Sequence, residues 1–186
     1  MSTYQTIGLI LKKTDHAEAD QLFSIYTQNY GKVIALGRGT KKIQSKLNSS
    51  LKMFGLIDLM IAPGKNYSHI AGAVLVTNFP RLGMDLKKIV LGSFALELVD
   101  KLTETDQPDS NIFNLLAKYL SVVNDNLFKD KEWRVVKQAF IIKLLSLLGL
   151  APNASIAADP KKLNQFLKNQ LEAELQTEKF LVKMKI

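Results

Sequence analysis

The stretch KVIALGRGTKKIQSKLNSSLKMFGLIDLMIA, residues 32–62, decides the architecture. Its two ends, KVIALG and GLIDLMIA, are short apolar runs rich in β-branched residues and bounded by glycine, which suits strands. Between them IQSKLNSSLK is too polar for a buried strand and long enough for a short helix. Working outward, TIGLILKK alternates Ile7, Leu9 and Leu11 with Thr6, Gly8 and Ile10, and QLFSIYT alternates Phe23 and Ile25 with Leu22, Ser24 and Tyr26. A period of two puts successive side chains on opposite faces of a strand. Asn29-Tyr30-Gly31 supplies a turn before the third strand, and Pro63-Gly64-Lys65-Asn66 joins GLIDLMIA to YSHIAGAVLV as a hairpin.

Five short strands with a helix between the third and fourth follow the order of an oligonucleotide-binding (OB) type β-barrel. After Pro80 the period changes to that of helices. MDLKKIVLGSFALELVDKLTE, NIFNLLAKYLSVVND and KEWRVVKQAFIIKLLSLL carry apolar residues at helical spacing, the last stopping at Gly149 with Pro152 beyond. A fourth helix, PKKLNQFLKNQLEAEL, begins where Asp159 can cap and Pro160 can take the first helical position. The fold class is α+β: an N-terminal five-stranded OB-type barrel over residues 1–78, then an α-helical bundle over residues 79–186, with TNFPR as a short connection. Trp133, the sole tryptophan, is expected in the core.

The chain of 186 residues is 47% apolar, ordinary for a globular core, and carries a formal charge of +8. Residues 1–78 hold nine basic and four acidic groups (+5), residues 79–186 sixteen and thirteen (+3), so the barrel half has the stronger bias toward anions. With no cysteine, disulfides and thiolate zinc sites are excluded, and a reducing cytoplasmic setting is suited. The N-terminus has no secretion signal, and the longest apolar stretch, AFIIKLLSLLGLA, contains Lys143 and falls short of the roughly 20 residues a bilayer span needs. A cytoplasmic protein without membrane partners is expected.

Catalytic signals are weak, and no catalytic residue, metal ligand or cofactor is assigned. Asp15, Glu18 and Asp20 with His16 could hold Mg²⁺ for phosphodiester chemistry, but turn-forming acids between two strands read more simply as a solvated turn. GRGTKK lacks the Gly-Lys-Ser/Thr step of a phosphate-cradling P-loop, and no nucleophile elbow occurs. A non-enzyme is expected.

The cations are the informative feature. Between Asp20 and Asp58 there is no carboxylate, yet Lys32, Arg38, Lys41, Lys42, Lys46 and Lys52 all lie there. The competing reading is a solvated loop. On a barrel of this type, basic side chains track phosphates and exposed aromatics stack bases. The expected nucleic-acid-binding residues are Lys32, Arg38, Lys41, Lys42 and Lys46, with Tyr26 and Tyr67 as stacking rings; Phe23 and Phe54 are expected in the core.

The order KKTDHAEAD, LFSIYTQNYGK, ALGRGTKKIQSKL is similar to the N-terminal pattern of the RecO family of recombination mediators, and FALELVDKLTE, FNLLAKYL and AFIIKLLSLLGLAPN resemble that family's helical half. The resemblance runs from about residue 5 to 153 and matches Lys32, Arg38, Lys41, Lys42 and Ser45. It implies a non-catalytic protein of DNA repair and recombination. Such a protein binds single- and double-stranded DNA, anneals complementary strands, relieves inhibition by single-strand-binding protein, and assists RecA loading with RecR. It also implies capture of the acidic tail of single-strand-binding protein by the helical half, where Arg134, Lys137 and Lys143 are candidates, although an ordinary solvated helix face is the simpler reading of them. Two departures stand out: Ala17 replaces the family's usual glycine before Glu18, and ASIAADPKKLNQ stands where a four-cysteine zinc element is common. Loss of that element leaves apolar packing of the last helix to replace it. A protein-protein adaptor with a scaffold barrel, and an RNA-binding OB protein, are the alternative functions.

Overall fold

The computed structural model describes residues 2–171 and 174–183. Five strands, β1 (Tyr4–Asp15), β2 (Gln21–Thr27), β3 (Gly31–Gly37), β4 (Gly55–Ala62) and β5 (Ser68–Asn78), close a barrel in the order β1-β2-β3-β5-β4. All neighbours are antiparallel except β3 and β5, which run parallel with Ala35 opposite Ser68 and Leu36 opposite His69. A parallel pair needs a crossover rather than a hairpin. The short helix α1 (Lys46–Ser50) and β4 form it, with Ser45 capping the helix by accepting from the Asn48 amide. Inside the barrel Ile10, Phe23, Ile25, Val33, Ala35, Leu51, Ile57, Leu59, Ile61 and Ile70 form one apolar cluster.

A 3-10 turn (Pro80–Gly83) leads into α2 (Leu86–Leu102), α3 (Ser110–Asp125) and α4 (Asp130–Leu147). Asp85 caps α2 by accepting from the Lys88 amide and Asp109 caps α3 by accepting from the Asn111 amide; α4 stops at Gly149, whose φ is +74°. Left-handed backbone past a helix end is where glycine costs least. Trp133 is buried, edge-on to Phe128 at 4.9 Å. Lys88 is buried too, and its Nζ donates to the Asn124 carbonyl 2.7 Å away at the end of α3, where helical carbonyls lack partners.

Beyond Gly149 the chain departs from the expected single last helix. A short α5 (Ala154–Ala158) precedes α6 (Pro160–Gln170), and α7 (Glu178–Lys183) follows. Asp159 caps α6 and Pro160 opens it, as the sequence predicts, and Leu163 and Leu167 pack into the bundle. The helix ends at Gln170 with Leu171 extended; Glu172 and Ala173 of the expected helix lie outside the described residues, and Leu175 and Leu181 beyond them are buried. The Glu97 carboxylate of α2 holds the chain between these two leucines, accepting from the Gln176 amide (2.6 Å), the Thr177 amide (3.0 Å) and Thr177 Oγ1 (2.7 Å).

The barrel is covered on one side. Leu9, Leu11 and Tyr26, on the outward faces of β1 and β2, belong to the same apolar cluster as α2, α3 and α4. The strand alternation is correct, but both faces of β1 are apolar because one fills the barrel and the other seats the bundle. The turn before β3 is seated equally tightly. Gly31 has φ +66°, and a Cβ there would lie 2.3 Å from the Gln107 carbonyl oxygen. Among the described residues, no helix is long and apolar enough to cross a membrane.

Candidate nucleic-acid interface

The register of β2, β3 and β5 sorts the outward side chains into two groups. Ser24, Tyr26 and Lys32 form the group under the bundle; Leu22, Leu36 and His69 lie side by side at the other end and are half-buried. Under the bundle, Ser24 Oγ donates to Asp100 Oδ1 (2.5 Å) and Lys32 Nζ donates to the Asp100 carbonyl (2.7 Å). The Tyr26 hydroxyl donates to the Asp109 carbonyl at 3.4 Å, and the ring is 0% exposed. Burial, with a smaller push from the Asp109 charge, raises this phenol to about 12.

Two of the expected nucleic-acid-binding residues are therefore placed differently. Tyr26 has no face to offer a base, because the apolar row it shares with Leu9 and Leu11 is what the helices cover. Lys32 spends its ammonium on the last turn of α2, where an unpaired carbonyl attracts a cation. Neither commitment is visible in β2 or β3 alone.

At the open end three loops meet. The β1–β2 loop and the segment after β3 are tied by backbone: the Gly39 amide donates to Asp20 Oδ1 (2.7 Å) and the Lys41 amide to the Ala19 carbonyl (3.0 Å). Gly39 sits at φ +63°, which a side-chain-bearing residue adopts only at a cost. The buried Thr40 hydroxyl donates back to the Gly37 carbonyl (3.1 Å). The β4–β5 loop joins them through Tyr67, whose ring meets His16 edge-on at 5.6 Å. Tyr67 is 39% exposed. Tyr30, also exposed, is stacked on Tyr4 at 4.2 Å.

The cations are not equivalent on this rim. Lys41 Nζ lies 3.0 Å from Asp15 Oδ2 in an exposed ion pair, and the hydrogen bonds from Lys41 and Gln21 hold the Asp15 carboxyl below the usual carboxylate range. An exposed pair of this kind is weak enough for a phosphate to compete. Arg38 and Lys42 are exposed and have no carboxylate partner among the described residues. The Lys46 side chain lies outside what the structure describes, although its backbone opens α1. Phe23 fills the barrel and Phe54 packs against the bundle, as expected.

The acids of the β1–β2 loop hold the rim together. Asp15 binds Lys41 and Asp20 binds the Gly39 amide; among the described residues no three side chains of metal-ligating type converge. The pairing of Asp15 with Lys41, separated by 26 residues, becomes legible only from the register in which Asp15 faces Gln21 and Gln21 faces Gly37.

Residues 1–79 match the family model described as Recombination protein O N terminal, and residues 83–166 match Recombination protein O C terminal. The DNA repair protein RecO of Cyanothece sp. is 30% identical over 151 residues, which cover 81% of this chain and 51% of that protein. RecO of Roseiflexus sp. is 32% identical over 149 residues (80% and 51%), and that of Caldanaerobacter subterraneus 28% over 152 residues (82% and 60%). The chain thus spans between 51% and 60% of the length of these relatives. With both halves of the family pattern present in order on a closed five-stranded barrel and a helical bundle, the chain belongs to the RecO family of DNA repair proteins.

Proposed function

We propose that this protein holds single-stranded DNA by its phosphates along the rim formed by the β1–β2 loop, the segment after β3 and the β4–β5 loop, and so promotes annealing of complementary strands. The observation that carries this is the exposure of Arg38 and Lys42, without carboxylate partners among the described residues, on a segment braced by backbone hydrogen bonds. Grip on phosphates carries no sequence information and leaves base edges free for a complementary strand. Lys41 joins when phosphate displaces Asp15, and Tyr67 offers one ring for stacking. Duplex product is held by the same phosphate contacts. The role needs no bond-making chemistry from the protein. Handing strands to RecA together with RecR, and relieving single-strand-binding protein, are the family-level roles that this activity would serve in the cytoplasm.

Titration of fluorescent single-stranded DNA over a salt series tests the reading. If Arg38 and Lys42 each contact a phosphate, replacing both by Ala flattens the slope of log K against log salt by about 1.4. An unchanged slope removes them from the site. The burial of Tyr26 and the bond of Lys32 to the Asp100 carbonyl beneath the bundle favour a second reading, a protein-protein adaptor in which the barrel is a scaffold. Absence of salt-sensitive saturation by the intact protein would establish it over the first. Tighter binding to RNA than to matched DNA would point instead to 2′-hydroxyl recognition.

A further inference from the structure

Ile43 stands at the tip of the braced segment with its side chain 101% exposed. Single exposed apolar residues are common on protein surfaces and need no function. This one is built differently from a residue on a loose loop. The Lys42 amide donates to the Gly39 carbonyl (3.1 Å), the Ser45 amide to the Lys42 carbonyl (3.0 Å), and Ser45 Oγ accepts from the Asn48 amide (3.3 Å) to start α1. Together with the Gly39 and Lys41 bonds to the β1–β2 loop, these turns flank Ile43 on both sides and leave it nowhere to pack. Met84 and Leu127 are also highly exposed, at 82% and 91%, but each has an aspartate within two residues in sequence, Asp85 and Asp125, which would repel phosphate. Ile43 has Lys42 beside it and Arg38 five residues before it, with no acid between Asp20 and Asp58.

We propose that Ile43 is a wedge, inserted between adjacent bases of the single strand whose phosphates Arg38 and Lys42 hold. Apolar side chains projecting from cationic surfaces open base steps in this way, exchanging base–base stacking for contact with the side chain. A β-branched side chain suits the task because its χ1 is restricted, so little rotamer freedom is lost on insertion. The step it opens exposes two bases with their pairing edges outward and no longer stacked on each other. The wedge rests on the DNA-binding reading above and adds, besides Tyr67, a base-contacting residue to a site made chiefly of phosphate contacts.

The test uses the intact chain and an adenine-rich single-stranded oligonucleotide carrying 2-aminopurine at successive positions, whose fluorescence rises when it is unstacked. Binding by the unaltered protein should raise the signal. Ile43→Ala should bind about tenfold more weakly, from the apolar contact removed. It should lose most of the fluorescence rise at saturation while keeping the salt slope. Ile43→Leu should restore much of the rise. Arg38→Ala with Lys42→Ala should do the reverse, flattening the slope but keeping the rise once DNA is saturated. A full rise with Ile43→Ala, or saturation without any rise, overturns the wedge and leaves phosphate binding intact. A rise seen with duplex but not with single strands overturns the assignment to single strands. If the unaltered protein shows no salt-sensitive binding, the DNA-binding reading fails and the wedge fails with it.

Discussion

Tyr26 shows how a single side chain changes meaning between sequence and fold. As one aromatic in a strand next to a basic segment it reads as a base platform; in the molecule its ring is sealed under α2 and α3 and its hydroxyl is spent on Asp109. Tyr26→Ala should cost about 3–5 kcal/mol in chemical denaturation, as a large buried ring does. Tyr26→Phe should cost only about 0.5–1.5 kcal/mol, the net worth of one hydrogen bond. Because the folded phenol titrates near 12, above its ordinary value of 10.0, its protonated form contributes stability that is complete below pH 10 and lost as pH rises toward 12. Denaturation curves between pH 9 and 12 should therefore fall less steeply for Tyr26→Phe than for the unaltered protein, and parallel curves would show that Tyr26 does not carry the linkage. Lys32 makes the complementary case for charge. Lys32→Met keeps the stem but deletes the bond to the Asp100 carbonyl, with an expected loss of about 1.5–3 kcal/mol for a charged hydrogen bond. Its salt slope for single-stranded DNA should stay unchanged, whereas a flatter slope would return Lys32 to the interface.

At the scale of elements, the turn between β2 and β3 and the segment after β3 contain similar residues and have opposite roles. Gly31 carries the chain through left-handed backbone directly against the α2–α3 connection, where the Asp106 amide donates to the Lys32 carbonyl at 3.1 Å. Gly31→Ala should destabilise by at least about 1–2 kcal/mol from backbone conformation alone, before the clash with the Gln107 carbonyl is counted. Thermal melts of the purified variant measure it; an unchanged midpoint would mean that the turn and connection separate easily. Gly39 performs the same turn where no helix approaches, and the nearest atom to a Cβ there is the Lys42 Cδ at 3.8 Å. Gly31 was legible as a turn, but the turn at Gly39 and which end of β3 meets the bundle were not, because the latter depends on where α2 lands. The break between α6 and α7 was illegible for a related reason. Helical periodicity continues past Gln170 in the sequence, whereas in the structure Leu171 is extended and the Gln176 and Thr177 amides are taken by Glu97.

For the whole molecule, the covered face of the barrel joins two modules through one apolar core. Leu9, Leu11 and Tyr26 belong to the cluster that contains Leu91, Leu98, Leu116 and Leu144, while the barrel interior has its own cluster. We propose that residues 1–78 and 79–186, although distinct in architecture, are coupled in stability. Thermal unfolding followed by Trp133 fluorescence, which reports the bundle, and by far-ultraviolet circular dichroism should give coincident transitions. Two separated midpoints would show modules that merely touch. The covered face also bounds the proposed DNA site, since the middle of the β2–β3 face is closed and the three-loop rim remains.

Chain order and local chemistry were sufficient for the strands, for α1 between β3 and β4, for the cap at Asp159, and for the family pattern itself. Each of these depends on residues near one another in sequence, through side-chain period, turn conformation or helix-end hydrogen bonding. The basic segment was legible for the same reason, as a run of residue types. Its division was not: Lys32 under α2, Lys41 against Asp15, and Arg38 and Lys42 open. Charge and aromaticity belong to the residue, but exposure belongs to the tertiary structure, because it is fixed by partners that arrive from 26 and 68 positions away.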